Sequence, residues 1–344
     1  MKRIIIKTVL LFLISFTVHA QQTRQYALRH FSILNGLASN TVNDVIQDKD
    51  GYIWMATANG LQRYDGNSFL TFKSHEGNPS SIPSTDINML FRDSRDRIWL
   101  FGGNNRIGIF DTKKFVYHKA SMPSQDSTYY ITQHFIQTAN GEVLMLRSNG
   151  DLFRYVEKKN EFILFNSMFP LPKSWKPNEI TWDSVRRRYW ISCDSGLLQY
   201  DPVTKHANYR GHNIDGDPVI ATFANFIQAY GVKLDGNGNV FFNNWSKPYP
   251  FPTIFRYVTK YGRKDSLDLY KYVHIYHEIW GYLNQRNGRL WVYGLPFFIE
   301  WRDRDFIPIP NDFVVEQGRK FGVVIKAFED RESNIWMATD NGIY

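Results

Sequence analysis

Short runs of apolar or alternating residues recur along this chain, parted by turns rich in Gly, Asp and Asn. Runs of four to seven residues with that punctuation read as β-strands joined by hairpins. The first stretch is the clearest. VNDVIQD (42–48) predicts a strand, Lys49-Asp50-Gly51 a turn, YIWMAT (52–57) a second strand, Ala58-Asn59-Gly60 a turn and LQRY (61–64) a third strand. Asp65-Gly66 then turns into FLTF (69–72), a fourth. The second strand carries a large apolar anchor, and equivalent anchors follow at Trp54, Trp99, Leu144, Trp190, Phe241, Trp291 and Trp336, in steps of 45, 45, 46, 51, 50 and 45 residues. Four short strands repeated at that period predict an all-β fold, a seven-bladed β-propeller, because single blades cannot bury their own faces and must stack in a ring.

The last unit, ESNIWMATDNGIY (332–344), shares seven of thirteen positions with residues 50–62 and stops before an outer strand. ALRHFSI (27–33) has the aromatic, alternating character of such a strand. Pairing it with Ile343-Tyr344 would close the ring with strands from both ends and remove an exposed sheet edge. The alternative is a chain that continues, with Ile343-Tyr344 opening an unfinished strand.

The first twenty residues read differently. Lys2, Arg3 and Lys7 precede a mostly apolar run from Ile4 to Val18, and Val18-His19-Ala20 before Gln21 has small-residue cleavage character. That is the pattern of a secretory signal peptide (1–20), with an uncleaved anchor as the alternative, leaving 21–344 as the propeller. Its removal lowers the formal charge from +8 to +5, so much of the basicity belongs to targeting. No basic stripe interleaved with aromatics marks a nucleic-acid face. Cys193 is the only cysteine, so no internal disulfide can form, and its alignment with Thr57 reads as a buried structural thiol. The mature chain is therefore expected in an exported compartment, the periplasm, without membrane contact beyond the signal peptide.

Two longer phrases, FSILNGLASNTVNDVIQDKDGYIWMATANGLQRYDG (31–66) and FEDRESNIWMATDNGIY (328–344), resemble the periplasmic two-component-regulator propeller repeat of Bacteroidetes-type hybrid sensors, including the opening Asn35-Gly36-Leu37-Ala38-Ser39-Asn40. The resemblance is strong in blades one and seven, fair in two and four, and loose in the others. It implies a sensor propeller that recognises an oligosaccharide, in a family where two propellers precede a membrane helix, a histidine kinase and output domains, and where extracellular parts dimerise. This sequence carries no kinase, receiver or DNA-binding motif. A truncated product, part of a split sensor and a free-standing propeller all fit.

Candidate chemistry is sparse. The anchor tryptophans sit at repeat-equivalent places and read as packing between sheets. Asp48 and Asp50 lack the downstream bidentate Glu of a calcium loop and read as turn residues. His274-Ile275-Tyr276-His277-Glu278 has neither zinc-peptidase order, and Arg186-Arg187-Arg188 reads as a solvated run. No catalytic residue, metal site or cofactor is expected. The departure from the repeat is the fifth-blade loop NNWSKPYPFPT (243–253), where Trp245, Tyr249 and Phe251 offer flat faces on which a sugar ring can stack. Tyr129, Tyr130, Trp175 and Trp280, on other long connections, are expected on the same rim. A secreted polysaccharide lyase or glycosidase and a protein-docking scaffold are the rival readings.

Overall fold

The computed structural model describes residues 28–103, 106–123, 132–245, 252–273, 276–301 and 321–344. The signal-peptide segment, Tyr129, Tyr130, Tyr249 and Phe251 lie outside the described residues.

Seven antiparallel sheets follow one another in chain order. Blade one is β1 (Val42–Gln47), β2 (Ile53–Thr57), β3 (Gly60–Tyr64) and β4 (Phe69–Phe72). Blade two is β5 (Ile87–Arg92) to β8 (Val116–Lys119), by way of β6 (Ile98–Gly102) and β7 (Arg106–Asp111). Blade three comprises β9 (Thr132–Gln137), β10 (Val143–Arg147), β11 (Leu152–Val156) and β12 (Glu161–Leu164). Blade four comprises β13 (Pro177–Asp183), β14 (Arg188–Cys193), β15 (Gly196–Tyr200) and β16 (Ala207–Tyr209). A short helix, α1 (Pro218–Thr222), leads to blade five, which is β17 (Tyr230–Leu234), β18 (Val240–Asn244), β19 (Thr253–Val258) and β20 (Arg263–Asp268). After α2 (Tyr270–Val273), blade six contributes β21 (Glu278–Asn284), β22 (Leu290–Leu295) and β23 (Phe297–Trp301), and blade seven β24 (Val324–Glu329), β25 (Ile335–Thr339) and β26 (Gly342–Ile343).

The first strands of the blades stand around the axis, with β1 against both β5 and β24, and β13 against β9 and β17. Each blade face then packs on its neighbour. Trp54, Ala56 and Leu61 of blade one meet Leu90, Ile98, Leu100 and Phe110 of blade two. Trp99 and Phe101 meet Val143, Met145 and Phe153 in the next interface. The last interface joins Ala338 and Ile343 of blade seven to Val42, Val45, Ile53 and Met55 of blade one, so the ring is closed by apolar burial. Cys193 is fully buried in the interface of blades three and four, where burial raises its thiol pKa far above the usual range.

The sequence leaves unseen how the anchors are held. The Trp54 indole donates to Asp48 Oδ2 at 2.7 Å, Trp99 to Asp93 at 3.0 Å and Trp336 to Asp330 at 2.8 Å. Each carboxylate also caps its own turn: Asp48 Oδ1 accepts the amides of Asp50 and Tyr52, both at 2.9 Å. One aspartate thus fixes the hairpin and satisfies a buried indole N–H. In blade six Gln285 takes this place, accepting from Trp291 at 2.8 Å. Where the anchor has no N–H the carboxylate is redirected or gone: Asp235 takes the Asn239 amide beside Phe241, and Thr138 stands before Leu144.

Closure takes a reduced form of the expected outer strand. Phe31 alone bridges Ile343, with N–H···O distances of 2.9 and 3.0 Å in the two directions. The chain leaves the sheet there because Ser32 and Asn35 form a capping box around the 3-10 turn Ile33–Asn35, followed by Gly36 at φ 102°. His30 stacks on Tyr344 at 4.3 Å, and Arg331 donates to the carbonyls of Asp48 and Lys49, completing the seam.

The arginine run departs from the solvated reading. Arg186 bonds Asp183, the Gly238 carbonyl and Thr259, tying blade four to blade five, and Arg188 pairs with Asp217 at 3.1 Å. Both long side chains span gaps between loops, which a run of charges cannot disclose.

Candidate ligand-binding rim

Antiparallel order puts three features on one rim: the beginnings of the first strands, the turns between second and third strands, and the connections between blades. Trp175 lies on the connection from β12 to β13, Trp245 directly follows β18, and Trp280 is on β21. The sequence expectation placed Trp280 on a connection. It instead occupies the irregularity between Ile279 and Gly281, where an extra residue turns its side chain out, half exposed. Asn43 and Asn178 hold the like position in blades one and four and donate to carbonyls of the next blade, Ile87 and Ala229, both at 2.8 Å. Trp280 gives up that link; its indole and the Tyr276 hydroxyl both donate to Glu278. The fifth-blade loop is also shorter than expected, because Asn243, Asn244 and Thr253 belong to strands.

Of these three tryptophans only Trp175 lines a described cavity, one of 490 Å³ between blades three and four. Its polar wall is pre-set. Asp151 accepts from Asn149 at 2.6 Å and from Asn166 at 2.9 Å, while Asn166 Oδ1 accepts the Leu152 amide at 2.8 Å. Trp175 packs edge-on to Tyr209, with Arg210 lying 5.8 Å from its ring centroid. A flat aromatic beside fixed amides and one carboxylate can stack a sugar ring and hydrogen-bond its hydroxyls. Trp175 came from the sequence; Asn149, Asp151 and Asn166 did not, since they lie on two separate loops and look like ordinary turn residues.

A second set was also missed. Two residues before each axial partner of an anchor stand Asp44, Met89, His134, Glu179, Gly231, Gly281 and Lys326, one from each first strand. Glu179 bridges His134 at 3.0 Å and Lys233 at 2.9 Å, linking three blades. Burial pushes its carboxyl pKa up, but the hydrogen bonds and attraction of His134 and Lys233 outweigh that and hold it at about 2. Asp44 accepts the Leu90 amide at 3.0 Å, and burial raises its pKa against the pull of Lys326. Lys326 in turn is raised, chiefly by Asp44, and forms no ion pair within 4 Å among the described residues. Lys326 is exposed on the first strand of blade seven.

Among the described residues, no group of three or more His, Cys, Asp or Glu is placed to hold a metal, and no helix is long and apolar enough to cross a membrane.

The fold and rim define a seven-bladed propeller with a candidate cavity between blades. Residues 36–59 match the two component regulator propeller family, so the first blade carries that repeat and the resemblance seen in the sequence is shown there. A histidine kinase P4 of Formosa agariphila is 30% identical over 83 residues, covering 24% of this chain and 6% of that protein. Two solved extracellular domains of Bacteroides thetaiotaomicron hybrid two component systems share the fold. That of BT3049 has 19% identity and a TM-score of 0.65, covering 93% of this chain and 41% of that one; that of BT4673 has 14% and 0.66, covering 93% and 43%. The chain thus spans less than half the length of these relatives.

Proposed function

We propose that this propeller is the ligand-recognition part of an extracytoplasmic two-component sensor, exported to the periplasm by residues 1–20, and that it recognises an oligosaccharide at the rim. The matched repeat in blade one and the solved extracellular relatives support the sensor reading. The observation that carries the glycan reading is the Trp175 cavity, with its aromatic wall and interlocked Asn149, Asp151 and Asn166 side chains. Binding is favoured over glycoside cleavage because Asp151 is the one carboxylate lining that cavity and both its oxygens are engaged by amides, whereas cleavage ordinarily needs two carboxyl groups. Trp245 and Trp280, exposed on the same rim, extend the surface for a longer chain, and Tyr249, Phe251, Tyr129 and Tyr130 belong to the same proposal. Kinase and output functions would lie in other domains, and a homodimer is the assembly the resemblance implies.

Calorimetry of the mature chain against a panel of plant, host and microbial oligosaccharides tests this reading. The expected result is one saturable ligand whose affinity falls about five- to tenfold in Trp175→Ala, the loss of one stacked ring worth about 1 kcal/mol or more, measured well below the variant's melting temperature, which falls because Trp175 also packs against the core of blades three and four. A ligand bound equally well by Trp175→Ala, or a panel member turned over rather than bound, overturns it.

A further inference from the structure

A different cavity, of 510 Å³, opens between the connection 74–83 and the outer half of blade two. Arg106, Tyr117 and Lys119 form its blade-two wall; His75 and Glu76 are on the connection. Arg106 is held in place by donating to the Pro83 carbonyl, but neither Arg106 nor Lys119 forms an ion pair among the described residues. Glu76, the one acidic lining residue, lies beyond ion-pair distance of both. By contrast, Arg97 is neutralised by Asp93 and Glu157, at 2.6 and 2.7 Å. Arg106 and Lys119 share their cavity with Glu76 but with no carboxylate in ion-pair reach among the described residues.

The wall also contains an unmet donor. Tyr117 is buried, its ring lying over Gly108, and its hydroxyl has no hydrogen-bond partner among the described residues. A buried hydroxyl without an acceptor is costly, and such groups mark places where a missing partner belongs. Desolvation raises its pKa against the pull of Arg106, so the hydroxyl stays protonated and remains a donor.

We propose that this groove binds an oxyanion, the carboxylate or sulfate of an acidic ligand, with Arg106 as the anchoring cation, Lys119 as a second charge and Tyr117 as the buried donor. A guanidinium fixed through one N–H keeps further N–H groups for an oxyanion, and a planar fork suits two oxygens better than a point charge does. The volume accommodates a sugar-sized body as well as its charged group. This site is separate from the Trp175 cavity and does not depend on the glycan reading.

The test is titration of the mature chain at low ionic strength with sodium sulfate, sodium glucuronate and neutral glucose. Sulfate or glucuronate is expected to bind and glucose not; which anion binds distinguishes a sulfate ester from a uronate as source. Arg106→Gln should weaken binding at least tenfold and Lys119→Gln about threefold. Tyr117→Phe gives an independent readout: it should weaken the anion severalfold while leaving the free protein equally or more heat-stable, because the unmet hydroxyl is gone. Trp175→Ala should change none of these affinities. Should Arg106→Gln fail to fold, Lys119→Gln and Tyr117→Phe decide the matter. The proposal is overturned if neither anion binds, or if binding survives unchanged in the variants that fold.

Discussion

Replacing Glu179 by Gln removes a charge that joins the first strands of blades three, four and five. Its carboxyl is nearly sealed from solvent, 7% exposed, and accepts from His134 at 3.0 Å and Lys233 at 2.9 Å. Folding moves its pKa from an ordinary 4.5 to about 2. A displacement of that size corresponds to about 3 kcal/mol, each unit being about 1.4 kcal/mol. Glutamine keeps one acceptor oxygen but leaves Lys233 without a counter-charge, so a loss of about 2 to 3 kcal/mol at pH 7 is expected. For a domain of this size that is a fall of roughly 3 to 5 °C in Tm. Because the folded pKa is depressed, the contribution is complete above pH 4.5 and disappears as pH falls towards 2. Thermal melts of both proteins from pH 7 to pH 3 should show the gap in Tm narrowing below about pH 4.5. Equal Tm values at pH 7, or a gap that does not shrink on acidification, would refute the argument.

Two further outcomes follow from the ring's construction. A side chain at Gly342, where φ is 93°, runs into the Phe31 carbonyl and the His30 ring, so Gly342→Ala should break the closing bridge, cost about 2 to 4 kcal/mol and promote aggregation, measured by melts and light scattering; an unchanged Tm would show that the bridge is dispensable. Trp54→Ala should cost about 3 to 5 kcal/mol as a core deletion, whereas Asp48→Asn should cost about 1 to 2 kcal/mol only while the indole is present, so that a double-mutant cycle with Trp54→Phe gives a coupling near 1 kcal/mol; additive effects would mean the Asp48–Trp54 bond contributes nothing beyond the turn.

Architecture was legible because its signal is periodic. Anchors every 45 to 51 residues, each behind a Gly/Asp/Asn turn, require a stacked ring whatever else the sequence holds. The indole–aspartate bond was legible in principle, since Asp48, Asp93 and Asp330 each precede their tryptophan by six residues, but reading Asp48 as a turn residue captured only half its task. The axial set follows the same period, with Asp44, Met89, His134 and Glu179 each 45 apart, yet only the structure shows that first strands face a common axis. The cavities were not legible. Trp175 stood out as a large aromatic on a long connection, whereas Asn149, Asp151 and Asn166 acquire meaning only when the β10–β11 turn meets the β12–β13 connection. Arg106 and Tyr117 likewise come from neighbouring strands whose approach to residues 74–83 no local pattern encodes.

The most direct test of the central claim is a crystal structure of the mature chain with the oligosaccharide that the binding panel identifies. The account predicts a sugar ring stacked on Trp175 in the cavity between blades three and four, with hydroxyls in hydrogen-bonding reach of Asn149, Asp151 or Asn166. A glycan seated on the opposite face, on the blade edges, or in the axial channel away from Trp175 would contradict it.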